Sequence, residues 1–136
     1  MSEISAGAIT YTEIEHSILY LIIKDFHGNY GFAKGHLEAG ETEEEAAIRE
    51  IREETMIDIT LDTSFREELH YIMPNGIAKT SVYFLGRYED QTPVRQEEEV
   101  EKLYLLPYDE AMKILTFDNM KEVLAKADAY LRREHE

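Results

Sequence analysis

The segment from Thr42 to Ile57 constrains this chain more than any other. Thr42 followed three residues later by Glu45 is a capping box, in which each side chain satisfies the other residue's backbone N–H. Ala46, Ala47, Ile48 and Ile51 carry the helix forward, and β-branched Thr55 and Ile57 end it. At about 100° per residue, Glu50, Glu53 and Glu54 fall on one face. Ala46 stands one turn earlier on that face and leaves room above the carboxylates, whereas Ala47, Ile48, Ile51 and Thr55 turn to the other side. The spacing therefore predicts a helix with one side packed on a sheet and a ridge of acids elsewhere.

Three glutamates alone fit a solvated acidic face. Stacked like charges nevertheless destabilise a helix by a few tenths of a kcal/mol each unless something offsets them. The whole chain leans the same way, with 29 acids against 14 bases and a net charge of −15. Clustered carboxylates are the hard oxygen donors that magnesium, manganese and calcium prefer, so cations are the natural offset. The same charge repels phosphate backbones and anionic lipid, which argues against a stable nucleic-acid complex or a membrane-surface role. Ahead of the helix, Gly35-His36-Leu37-Glu38-Ala39-Gly40-Glu41 is a loop whose two glycines can aim carbonyls at a metal or amides at a phosphate, with Lys34 beside it.

The remaining pattern predicts an α/β domain. Ala6 to Asp25 is apolar and rich in strand formers, and the run Ser17 to Ile23 lacks alternation, as a strand buried on both faces would. Asp25 to Asn29 is a turn, and Tyr30-Gly31-Phe32 a short strand leading to Lys34. Strand-like pieces follow at Ile57 to Leu61, Phe65 to Ile72 and Lys79 to Tyr88, with Met73-Pro74-Asn75-Gly76 turning between the last two. Met120, Val123, Leu124, Ala127, Tyr130 and Leu131 recur at helical spacing behind Asp118 as a candidate cap. With 136 residues and no linker, one domain over residues 1–136 is expected. Cysteine is absent, and the longest apolar run, Ile18 to Ile23, is six residues, so a cytoplasmic protein is expected. The residues specify no oligomeric state.

Gly35, five residues, Glu41, seven residues, then Arg49-Glu50-Ile51-Arg52-Glu53-Glu54-Thr55-Met56-Ile57 resembles the Nudix box, departing from it only where Met56 replaces the final glycine. The resemblance implies a Nudix-type α/β/α sandwich with a mixed β-sheet between helices. It also implies hydrolysis of a nucleoside diphosphate linked to a further group, with Mg2+ as cofactor and Mn2+ as a possible substitute. On that pattern the Gly35 carbonyl, Glu50, Glu53 and Glu54 are metal ligands, and Glu41 with Arg49 orients them.

Beyond the box the chain resembles the asymmetrical diadenosine tetraphosphate hydrolases. Lys34 to Glu41 is similar to that branch's loop, with Ala33 in place of a proline, and Lys79-Thr80-Ser81-Val82-Tyr83-Phe84-Leu85 is similar to its strand. The resemblance implies that Lys79 contacts phosphate and Tyr83 lies at the nucleotide. Tyr30, where relatives often carry tryptophan, is a candidate to stack on a base, and His36 a candidate phosphate contact. Glu97-Glu98-Glu99 resembles the family's glutamate-bearing loop, with Glu98 the best-aligned residue for a further ligand or general base; otherwise that task falls to Glu54 or another box glutamate. His16, His27, His70 and His135 show no metal-ligand spacing. The expected reaction is cleavage of diadenosine tetraphosphate, a small nucleotide, to ATP and AMP. The box alone also fits a pyrophosphohydrolase of nucleoside triphosphates, including oxidised guanine nucleotides, or of RNA 5′ ends. A nucleotide sensor without turnover is disfavoured because every box carboxylate is present.

Overall fold

The computed structural model describes residues 2–134, so His135 lies outside the described residues. In chain order the elements are β1 (Ser2–Ile14), β2 (Ser17–Asp25), β3 (Tyr30–Gly31), β4 (Lys34–His36), α1 (Glu43–Thr55), β5 (Thr60–Ile72), β6 (Ala78–Arg87), β7 (Val100–Pro107), α2 (Tyr108–Ile114) and α3 (Asp118–Glu134). The sheet runs β3-β2-β1-β6-β5, with β4 paired to β1 and β7 to β2. β1 and β6 are parallel, and their neighbours pair antiparallel, so the sheet is mixed.

Alternation along the central strands builds a core on each face. Ala6 and Ala8 of β1 and Val82 and Phe84 of β6 pack with Ala46, Ala47 and Ile51 of α1. Ile9, Tyr11, Tyr83 and Leu85 turn to the opposite face and meet Ala111, Leu115, Met120 and Leu124 from α2 and α3. The result is the expected α/β/α sandwich. Tyr20 ties α3 to β2 by donating its hydroxyl to Asp128 at 2.6 Å, inside the second core.

α1 forms as its sequence dictates. Glu45 N–H donates to Thr42 Oγ1 at 3.1 Å, and Thr42 N–H donates to Glu45 Oε1 at 2.9 Å. At the other end Met56 takes the left-handed conformation, φ 60° and ψ 25°, and donates its N–H to the Arg52 carbonyl. The residue that departs from the box pattern thus adopts the backbone that a glycine would hold more easily.

Several boundaries differ from expectation. β1 starts near the chain's beginning because Ser2 to Tyr11 pair in register with Ala78 to Arg87. The two strand pieces on either side of Asp62 to Ser64 are one strand, β5, with a register irregularity between Asp62 and Glu67. Ile57 and Ile59 are buried but precede it. α2 was not legible: it is seven residues long, follows Pro107, and has no side-chain cap. Asp118 is the first residue inside α3, and the Phe117 carbonyl accepts from Met120 and Lys121 at 3.1 and 3.2 Å.

Candidate active site

The loop between β4 and α1 is organised around one guanidinium. Arg49 donates from Nε and Nη2 to the two oxygens of Glu41 at 2.7 and 2.9 Å, a planar fork on a carboxylate. Its Nη2 also donates to the His36 carbonyl at 3.0 Å, and its Nη1 reaches Glu50 at 2.8 Å and Glu53 at 3.2 Å. Glu41 further accepts from the Glu38 amide at 2.9 Å. Arg49, then this amide, hold the Glu41 carboxyl down to about 2. Arg49 and Glu41 are therefore paired, and the pairing fixes the loop to the helix.

The three box glutamates stand in three environments. Glu53 is open, with its side chain 56% exposed. Glu50 is half-buried; desolvation raises its pKa against the pull of Arg49. Gly35 is backed so closely onto the Glu50 carboxylate that a Cβ there would overlap its oxygens, so only glycine brings the backbone this near. Glu54 is only 8% exposed. Burial first, then the charges of Glu50 and Glu99, push its carboxyl up to about 8, while a hydrogen bond from the Lys34 backbone pulls the other way. Its Oε2 is buried and accepts no hydrogen bond.

Among the described residues no three Asp, Glu or His side chains already converge as a ligand set. Arg49 lies between Glu50 and Glu53 and supplies the counter-charge that spacing alone assigned to cations. The donor chemistry still fits a hard divalent ion: an orphaned, charge-repelled Glu54 oxygen, Glu50 pressed against the Gly35 backbone, and only oxygen donors. In the acidic run Glu99, rather than Glu98, is the member whose charge acts on Glu50 and Glu54 and which lines the adjoining cavity.

That cavity has a volume of about 650 Å³ and joins Glu54 and Glu99 to Lys34, Tyr71, Ser81 and Tyr83. Lys34 Nζ donates to Tyr71 Oη at 3.2 Å and Ser81 Oγ at 3.1 Å, and lies 5.6 Å from the centre of the Tyr71 ring. Burial opposes ionisation of Tyr71, but the Ser81 hydrogen bond and the Lys34 charge outweigh it, so this phenol sits below its ordinary value. Tyr83 is 3% exposed, and burial pushes its phenol up; it packs in the core and also lines the cavity. Tyr30 lines the wall, tilted against Tyr104 with ring centres 5.8 Å apart. Lys79 and His36 lie to one side, where both meet Glu3, at 3.4 and 3.8 Å.

Sequence reasoning missed Tyr71 and Phe117, a cavity-lining side chain 54% exposed. Tyr71 was findable. The Met73 to Gly76 turn sets the β5–β6 register, which places Tyr71 opposite Lys79 and Leu69 opposite Ser81. Phe117 carries no such signal, because it precedes α3 in a connection whose path depends on the packing of both helices.

The chain is similar to known proteins along most of its length. The NUDIX domain matches residues 1–127. The asymmetrical bis(5′-nucleosyl)-tetraphosphatase of Sus scrofa is 33% identical over 121 residues, covering 85% of this chain and 82% of the pig protein. The protein of the same name from Caenorhabditis elegans is 28% identical over 132 residues, 93% of this chain and 95% of its own. A crystal structure of a C. elegans Ap4A hydrolase binary complex superposes with a TM-score of 0.88 at 26% identity, covering 96% of this chain and 98% of that one. With the three box glutamates on α1 and the match running through nearly the whole sandwich, the chain belongs to the NUDIX domain family and is a Nudix hydrolase.

Proposed function

We propose that this protein hydrolyses diadenosine tetraphosphate asymmetrically, to ATP and AMP, with Mg2+ as its working cation and Mn2+ as a substitute. The observation that carries the reading is the single cavity in which buried Glu54 faces Lys34, Tyr71 and Ser81. An acid held near neutrality and a fixed cation in one cleft are what water attack on a phosphoric anhydride needs. The full-length similarity to asymmetrical tetraphosphatases supports the dinucleotide.

The Gly35 carbonyl, Glu50, Glu53 and Glu54 would hold the metal, with Glu99 as the further acid in place of Glu98. When bound, such an ion neutralises phosphate oxygens and lowers the pKa of a coordinated water. Lys34 binds the bridging phosphates, presented by Tyr71 and Ser81. Glu41 and Arg49 hold the α1 carboxylates in place and keep the Gly35 to Glu41 loop against the helix. Tyr30 and Phe117 offer apolar faces to a base at the cavity wall. Glu54, ionised when a cation lies beside it, accepts the proton of the attacking water. The water oxygen bonds to phosphorus as the anhydride P–O bond breaks, releasing one nucleotide from each side.

A panel of dinucleoside polyphosphates, nucleoside triphosphates and triphosphorylated RNA, scored by product identity with magnesium, tests this. ATP plus AMP from the dinucleotide is expected. Turnover of triphosphates to NMP and pyrophosphate with the dinucleotide untouched rejects it. Lys79→Ala is expected to raise KM for the dinucleotide with kcat nearly unchanged, and an unaltered KM removes Lys79 from phosphate binding.

A further inference from the structure

Lys34 and Lys79 are compensated in different ways. Lys34 Nζ is held by two neutral oxygens, on Tyr71 and Ser81, so its positive charge remains available to an anion. Lys79 is already engaged by a carboxylate. β1 lies between β4 and β6, with Glu3 in register with Lys79 on one side and Ser5 in register with His36 on the other. The Glu3 side chain therefore rises between the two, its Oε2 3.4 Å from Lys79 Nζ and 3.8 Å from His36 Nε2. The carboxylate is about one-third exposed and Lys79 about one-quarter, so an incoming anion can reach both. A phosphate meets Lys34 at full charge but gains Lys79 and His36 only by displacing Glu3.

We propose that Glu3 is a specificity-determining residue that occupies the Lys79–His36 position as an internal stand-in for phosphate. It sets the anionic charge that a ligand must bring before it can take this position. A polyphosphate bridge, already anchored at Lys34, brings enough charge to displace Glu3, whereas a lone phosphate does not. The inference rests on the proposed polyphosphate reading of the site. It adds a residue outside the box and outside the catalytic carboxylates.

The test is calorimetric titration of the full chain with inorganic tripolyphosphate and with orthophosphate, at fixed free Mg2+, beside dinucleotide kinetics. Glu3→Gln keeps the size of the side chain and removes its charge. Releasing the partly exposed Glu3–Lys79 ion pair is expected to tighten tripolyphosphate binding roughly two- to fivefold. It should lower KM for the dinucleotide by a similar factor at constant kcat, and narrow the margin between tripolyphosphate and orthophosphate. Glu3→Asp should return most of the wild-type behaviour, and the gain should vanish in a Lys79→Ala background, which a merely structural role of Glu3 would not produce. Unchanged or weaker tripolyphosphate binding in Glu3→Gln, or a gain that persists without Lys79, overturns the proposal. If tripolyphosphate binding tightens while no dinucleotide is turned over, the substrate assignment fails and the role of Glu3 stands; the converse result separates them the other way.

Discussion

Glu54→Gln should make the metal-free protein less sensitive to pH while it destroys activity. In the folded chain Glu54 titrates near 8, against 4.5 for an ordinary glutamate, chiefly because it is buried. The folded state then holds a proton that the unfolded state has released, so stability is complete below about pH 4.5 and falls as pH rises toward 8. At about 1.36 kcal/mol per unit, the loss between pH 5 and pH 7 integrates to on the order of 2 kcal/mol. Glutamine carries no titrating group, so this slope disappears in the variant. Any hydrogen-bond mismatch of its amide adds a constant offset and leaves the slope untouched. The assay is urea denaturation of wild type and variant in chelator at several pH values across that range. The wild-type curve should fall relative to the variant by up to that amount. Parallel pH profiles would refute the burial argument, and with it the assignment of Glu54 as an acid primed for a proton or a cation. With Mg2+ restored, turnover of the variant should be lower by orders of magnitude.

Further outcomes follow from the same geometry. A Cβ at Gly35 meets the Glu50 carboxylate, so Gly35→Ala should displace that side chain and weaken divalent-cation binding by about 10- to 100-fold, read by metal titration; unchanged affinity would mean that Glu50 does not need its seat. Met56 sits at φ 60° with its side chain 55% exposed, so Met56→Gly should raise stability by about 1 kcal/mol in denaturant melts without altering kcat, and no gain would show the left-handed cap to be unstrained. Glu99→Gln removes a charge that raises Glu54, and should move the Glu54 titration of the metal-free protein, followed by carboxyl NMR, below about 8. Glu98→Gln should leave it in place. The reverse ranking would restore Glu98 as the residue facing the box.

Local information in the chain specified the helix that bears the acids and the loop before it. The capping box and the 3.6-residue spacing of Glu50, Glu53 and Glu54 depend on residues a turn apart, so α1 and its acidic ridge could be read directly. Runs of strand-forming residues, unalternating over Ser17 to Ile23, likewise marked most of the strands, whereas the mixed sheet was expected from the Nudix resemblance. What tertiary structure alone decided was how each acid is solvated and what stands beside it. Glu54 and Glu53 are adjacent in sequence, yet one is sealed and pushed toward neutrality and the other lies open, because the sheet and β4 cover only one side of the ridge. The choice of Glu99 over Glu98, the seating of Lys34 between Tyr71 and Ser81, and the capture of Lys79 and His36 by Glu3 join residues on different strands and loops. Desolvation and pairing of that kind depend on distance in space. Sequence spacing encodes that distance only within a helix or across a turn of known register.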